Sequence, residues 1–522
     1  MRFHLTLLAC VSAIPALAAG CESLAGIQLP NTSIKLAQAV PAGTFTPQEG
    51  PPIADLPAFC RVSGVIKPSA DSDIQFEVWM PASGWNGKLL GAGNGGFAGS
   101  IGPIGLRELG AAVTRSYAAA ATDTGHKGGA TDAAWALDHP QKVIDFGYRA
   151  IHETAEKAKA VIAAFYGSGP KRSYFSSCSN GGRQALMEAQ RYPGDYDGII
   201  AGAPANYWTH LLSEAVLDVQ ALTQDPASYI PASKLPAIQN ATLAACDSLD
   251  GVKDGVIDNP AECHFDPSVL LCKGPDSDAC LTAPQVAALR KLYSGPLNSK
   301  GKPVYLGHAP GGETGGGGWA AWVTGMAPGK SLGFAFGTNF FTNMVFEKAT
   351  WDYHTFDVDR EMKAADDKLA GVLNATDPDL KRFQSRGGKL ILYHGWSDAA
   401  IPPVNAIDYY QSVVAKMGAK DAGQFVRLFM VPGMQHCGGG PGPNSFGSLV
   451  PQGDPEHDMA AALEHWVEDG VAPSQIVATR YKAATPASGV ERTRPLCPYP
   501  QVAHWKGTGS TDDAANFVCQ SK

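Results

Sequence analysis

Residues 172–186 read RSYFSSCSNGGRQAL. The first six, RSYFSS, have the brevity and aromatic content of a strand, and GGRQALMEAQRY at 181–192 has the apolar spacing of a helix. Almost nothing lies between them, so the chain turns from strand to helix around Ser179. In a turn that tight the positions two residues either side of the exposed one meet crowded backbone and must be small. Ser177 and Gly181 meet that requirement. The usual pattern is G-x-S-x-G, and S-C-S-N-G departs from it at the first position.

Working outward, strand-like and helix-like segments alternate from about Asp73. They run IQFEVWM, GKLLGAG, SYAAAAT, a helix from Val143 to Tyr166, the turn above, and YDGIIAGAP. After a long gap the pattern resumes with KLILYHG, AIDYYQSVVAKMG, FVRLFMVPG and DMAAALEHWVEDG. Such alternation predicts a mainly parallel sheet covered on both faces. With a serine on the strand-to-helix turn, the expected fold class is α/β, an α/β-hydrolase fold. The stretch between Ala205 and Lys381 holds four cysteines, the glycine-rich APGGETGGGGWAAW and many aromatic residues. A structureless loop of that length is improbable, so 206–380 is expected to be a domain with its own fold, inserted into a catalytic domain formed by 19–205 and 381–522.

The first nineteen residues place Arg2 ahead of an apolar run too short to span a bilayer, a secretory signal with cleavage expected after Ala18. AAGC before Cys21 also resembles a weak lipoprotein box. No later run is apolar for long enough to cross a membrane. A net charge of -8 without a long basic run leaves no footprint for nucleic acid. Of eleven cysteines the signal removes Cys10 and leaves an even ten, which with export implies disulfides in a secreted or periplasmic protein. Proximity suggests Cys21 with Cys60, Cys246 with Cys263, Cys272 with Cys280, and Cys497 with Cys519.

A serine hydroxyl becomes a nucleophile when a histidine takes its proton, and the histidine needs a carboxylate to fix its tautomer. In this fold the order along the chain is Ser, Asp, His. LYHGWSDAAIPP supplies Asp398 just after a strand, and MVPGMQHCGGG supplies His436 in a glycine-rich loop after the next. Each alone is as readily a turn cap or a solvated bystander; the order and the contexts together make the triad Ser179, Asp398, His436. The leftover Cys178 precedes the serine and Cys437 follows the histidine, so if those two residues meet, the cysteines are close enough to bond and to hold both loops.

The CS at 178–179, Asp398 and the HC at 436–437 resemble the CS-D-HC signature of the tannase and feruloyl esterase family, which also includes a bacterial hydrolase of mono(2-hydroxyethyl) terephthalate. The similarity extends through NGKLLGAGNGGFAG, ATDTGH and YDGIIAGAPA to the cysteine-rich insertion. It implies that the inserted domain 206–380 is a lid domain, and it implies esters of phenolic aromatic acids as substrates: feruloyl esters first, galloyl esters (tannase activity) or small synthetic aromatic esters as alternatives, the ester possibly attached to plant cell-wall polysaccharide or tannin. Fold logic assigns the oxyanion hole to the N–H of Asn180 and that of Gly95 or Gly96 in GAGNGGFAG. Trp319, Trp322, Phe340, Phe341 and Trp351 are candidates for flat pocket walls, or equally for the lid's own core.

CDSLDGVKDGVIDNPAEC, from 246 to 263, spaces carboxylates at 247, 250, 254 and 258 among glycines. Clustered oxygens suit calcium, although the spacing is not that of an EF-hand. The resemblance implies a structural calcium held by Asp247, Asp250 and Asp254 with the carbonyls of Val252 and Val256. Zinc is disfavoured, because the cysteines read as oxidised and no histidine pair has ligand spacing; no organic cofactor is expected. A calcium-stabilised carbohydrate-binding protein without catalysis and a secreted peptidase are the competing readings.

Overall fold

The computed structural model describes residues 20–48 and 50–521. The signal segment therefore lies outside the described residues. Nine strands form one sheet: β1 Thr32–Val40, β2 Phe59–Ile66, β3 Ile74–Pro81, β4 Lys88–Ala92, β5 Ala118–Thr122, β6 Arg172–Cys178, β7 Gly198–Gly202, β8 Lys389–Gly395 and β9 Val426–Val431. Their spatial order is β1-β2-β3-β5-β4-β6-β7-β8-β9. The first three neighbouring pairs are antiparallel and the remaining five parallel. This is the α/β-hydrolase arrangement, with the serine turn at the carboxyl end of β6.

Adjacent residues along the parallel strands point to opposite cores, which is why these strands read as continuous apolar runs. Tyr174, Ile200, Ile391 and Phe429 pack with Leu109 and Trp466 of the helices Gly102–Thr114 and Met459–Asp469. Their neighbours Phe175, Ile199, Leu390 and Leu428 pack on the other face with Leu186 and Val413 of the helices Asn180–Arg191 and Val404–Met417.

Two features depart from expectation. The sheet begins with β1, about forty residues before the alternation becomes legible, because β1 is half exposed along its length and carries no clean period; β2, mostly buried, is not legible either, its apolar residues being interrupted by Arg61, Ser63 and Gly64. The helix expected from Val143 to Tyr166 starts at Pro140 and contains a π-helical turn at Asp145–Arg149. The carbonyls of Phe146 and Gly147 in that turn accept hydrogen bonds from the Arg183 guanidinium at 3.1 and 2.8 Å.

Between Gly202 and Lys389 no residue joins the nine-stranded sheet. The segment is mainly helical, with Trp208–Thr223, Leu235–Cys246, Ala283–Ser294 and Leu332–Asn339 as its longer elements. All five cysteine pairings read from the sequence are disulfides, Cys178–Cys437 included. Cys21 is bonded to Cys60, which leaves that sulfur no thiol for a lipid thioether. No helix among the described residues is long and apolar enough to cross a membrane.

Candidate active site

Ser179 joins β6 to the helix Asn180–Arg191 with φ 67° and ψ -125°, a region that side chains avoid unless the surroundings enforce it. Here they do. Its N–H donates to the Gly202 carbonyl at 2.9 Å, and its own carbonyl accepts from Arg183 and Ala205, both at 3.1 Å. A Cβ on Gly181 would stand 1.9 Å from Ser177 Oγ, and one on Gly182 would stand 2.3 Å from the Gly202 carbonyl oxygen. The two glycines after Asn180 are therefore required by close approach.

The structure brings Ser179, His436 and Asp398 together. His436 Nε2 lies 2.9 Å from Ser179 Oγ and its Nδ1 lies 2.8 Å from Asp398 Oδ2. A carboxylate only accepts, so the proton is on Nδ1 and the Nε2 lone pair faces the hydroxyl. Asp398 is fully buried. Burial alone favours its neutral acid, but the positive charge that His436 carries when protonated and the hydrogen bonds from His394 and His436 outweigh that and hold the carboxyl well below its usual range. Backbone N–H groups of Ala400 and Ile401 donate to its other oxygen at 2.8 and 3.1 Å. The Cys178–Cys437 bond, with Cα atoms 5.9 Å apart, lies directly beside the serine and the histidine.

His394 escaped the sequence reading. It ends β8, is fully buried, and donates from Nε2 to Asp398 Oδ2 and to the Ile401 carbonyl, both at 3.1 Å. The signal was a histidine inside an otherwise apolar strand, four residues before the aspartate. Arg183 was missed as well. It is buried on the serine's own helix, its Nε donates to Asn180 Oδ1 at 2.8 Å, and its guanidinium sits over the rings of Phe146 and Trp208 at 4.8 and 5.0 Å. Those contacts fix the residue after the serine.

The loop GAGNGGFAG is tied to the same helix. Asn94 N–H donates to Gln184 Oε1 at 3.0 Å, and Gln184 Nε2 donates to Asn94 Oδ1 at 3.2 Å. ATDTGH secures its far side: His126, its pKa pulled down to about 4 by burial, donates from Nε2 to the Phe97 carbonyl at 2.7 Å. A Cβ on Gly96 would stand 2.3 Å from the Ala130 carbonyl oxygen, whereas the same position on Gly95 faces open space.

The glycine-rich run 311–318 straps the inserted segment to both loops of the site. Ser397 Oγ donates to the Gly311 carbonyl at 3.2 Å, and a Cβ on Gly312 would stand 2.8 Å from the Ser397 carbonyl oxygen. Gln435, beside His436, accepts from Gly317 N–H at 3.0 Å and donates to the Thr314 carbonyl at 2.6 Å. Immediately after the strap, the Trp322 ring meets the His436 ring edge to face at 5.1 Å and stacks on Phe336. The other four aromatic candidates are elsewhere: Trp319, Phe340 and Phe341 are fully buried core residues, and Trp351 stacks on Phe341. Only Trp322 of the five reaches the site.

The family model for tannase and feruloyl esterase matches residues 60–520. The chain belongs to the tannase and feruloyl esterase family. It is 46% identical to an uncharacterized esterase of Xanthomonas campestris pv. campestris over 99% of this chain and 95% of that protein. It is 37% identical to the mono(2-hydroxyethyl) terephthalate hydrolase of Piscinibacter sakaiensis over 89% of this chain and 85% of that one. The crystal structure of feruloyl esterase B from Aspergillus oryzae superposes with a TM-score of 0.87 at 30% identity, covering 96% of this chain and 99% of the other.

In this family member the acidic stretch 247–258 folds back on itself. Asp247 accepts from the N–H groups of Asp254 and Gly255, Asp250 from Val252 and Asp254 from Val256, at 2.9 to 3.2 Å. Asp254 Oδ2 is also paired with Arg492, at 2.8 Å, and Arg494 on the C-terminal strand Val490–Leu496. One oxygen of Asp250 and one of Asp258 are buried with no donor from the rest of the chain, and the two carboxyls interact with each other. The donors are all oxygen, as a hard cation requires, and these two oxygens fit such an ion. The paired Asp254 would have to share its charge with the arginines.

Proposed function

We propose that this protein is a secreted serine carboxylic ester hydrolase that cleaves esters of phenolic aromatic acids through an acyl-enzyme, with feruloyl esters as first substrate. The observation that carries this reading is the hydrogen-bonded series Ser179–His436–Asp398 beneath the edge of Trp322. As Ser179 Oγ attacks the ester carbonyl, His436 Nε2 takes its proton, and the charge that develops on the imidazole faces Asp398. The N–H groups of Asn180 and Gly95 receive the oxyanion. His436 then gives its proton to the departing alkoxide, and water repeats the sequence on the acyl-serine to release the acid. Five disulfides support an oxidising compartment outside the cytosol, and the inserted segment 206–380 acts as the lid over the acyl group. Asp247, Asp250 and Asp254, with the carbonyls of Val252 and Val256, hold a structural calcium.

Likeness to mono(2-hydroxyethyl) terephthalate hydrolase favours small synthetic aromatic esters as the second reading. Turnover of methyl ferulate, methyl gallate, mono(2-hydroxyethyl) terephthalate and a peptide, compared on one preparation, separates these readings. The expected result is fastest cleavage of the ferulate and none of the peptide, with all ester turnover lost in Ser179→Ala. Ester hydrolysis that survives in Ser179→Ala overturns the assignment.

A further inference from the structure

The helix Trp208–Thr223, which opens the inserted segment, places Glu214 and Asp218 one turn apart on one face. Glu214 is only 2% exposed, and its Oε1 has no hydrogen-bond partner. Opposite stands His308, 5% exposed, whose Nε2 lies 2.8 Å from Asp218 Oδ2 and whose Nδ1 is buried without a partner. One ligand atom from each of the three lies within 4.8 Å of the other two. The buried Tyr305 hydroxyl, within range of the Glu214 charge, also lacks a partner.

Two adjacent carboxylates taken out of water need compensation, and buried charges that persist are paired or bind metals. His308 is the imidazole that faces these two carboxylates, and its Nε2 is already engaged with Asp218, so Glu214 Oε1 is left without a donor. The donor set decides the chemistry. Calcium takes oxygen ligands, whereas imidazole with carboxylate suits zinc. Zinc–ligand distances near 2.0–2.2 Å put tetrahedral donors about 3.3–3.6 Å apart, compatible with this spacing after small rotamer shifts.

We propose that Glu214, Asp218 and His308 bind one zinc-class divalent cation, at a site separate from the acidic stretch 247–258. His308 Nε2 would exchange its contact with Asp218 for the metal, and each carboxylate would supply one oxygen. The ion would clamp the helix to residue 308, immediately before the strap that holds Ser397 and Gln435.

The test uses the full chain, stripped with chelator, supplied with calcium and then titrated with zinc chloride. One zinc per chain is expected at micromolar concentration, together with a rise in Tm. Glu214→Gln and His308→Gln should each lose the stoichiometric zinc and the Tm gain, while Asp254→Asn keeps both. Anomalous scattering at the zinc edge on crystals of the unmodified chain gives an answer that needs no variant: a peak bonded to all three side chains is expected. A chain that takes up no zinc, uptake that persists unchanged in Glu214→Gln, or a peak elsewhere would each overturn the proposal.

Discussion

Asp398 and Glu214 are both fully buried carboxylates, one beneath the sheet's catalytic loops and the other inside the inserted segment, and they are treated in opposite ways. Asp398 receives His436, His394 and two backbone N–H groups, so its charge is held at low cost. Glu214 has an oxygen with no partner, and burial, reinforced by Asp218, pushes its carboxyl well above the usual range. Asp250 and Asp258 likewise each keep one oxygen with no donor from the rest of the chain. Burial therefore does not say what a carboxylate is for; the supply of donors does. The loops around the triad supply Asp398 with donors, whereas the carboxylates Glu214, Asp250 and Asp258 of the inserted segment each keep a buried oxygen without one.

The contrast breaks most visibly at Asp398. Replacing it by Asn removes the acceptor that fixes the His436 tautomer, and the expected loss in kcat is about 10⁴-fold, as for other triads, with circular dichroism unchanged. Loss of the fold with no separate loss of rate would make Asp398 a structural residue. Next comes the bridge. Cys178 and Cys437 are 259 residues apart, and a ring of that size is assigned about 5.6 kcal/mol by loop-closure entropy. Cys178→Ala with Cys437→Ala should lower Tm and, at temperatures where the variant is still folded, also lower kcat, because the serine turn and the histidine loop drift apart. An unchanged kcat in the folded variant would leave the bridge with stability alone. The smallest effect is expected in the acidic stretch. Chelator should lower Tm by a few degrees and calcium restore it, since an ion bound only by the folded state stabilises that state, with kcat nearly unaltered. A metal-stripped chain that melts at the same temperature with and without calcium would remove calcium from 247–256.

Much of the catalytic domain was legible because its strands are buried on both faces and therefore read as apolar runs between helical periods. β1, half exposed, left no such trace. The turn at Ser179 was legible from the small residues Ser177 and Gly181 two positions either side; that Gly182 also admits no side chain is visible only in the structure. Arg183 and His394 were not, because a lone arginine on a helix or histidine in a strand reads as ordinary until the carbonyls, rings and carboxylate around it are known. The wall aromatics show the same limit: Trp319 and Trp322 are three residues apart in a glycine-rich run, yet one is core and the other touches His436.

What the sequence determined by itself is whatever depends on local sterics and chain order: the strand-to-helix turn, the order serine, aspartate, histidine, and the cysteines flanking the residues that meet. Tertiary structure alone decided which polar groups are satisfied. Glu214 and His308 are far apart along the chain and belong to no motif, and the sequence disfavours zinc because its cysteines read as oxidised and no histidine pair has ligand spacing. Their meeting depends on how a helix packs against a distant loop, and a buried charge is paired or orphaned by neighbours in space, whose positions no local pattern encodes.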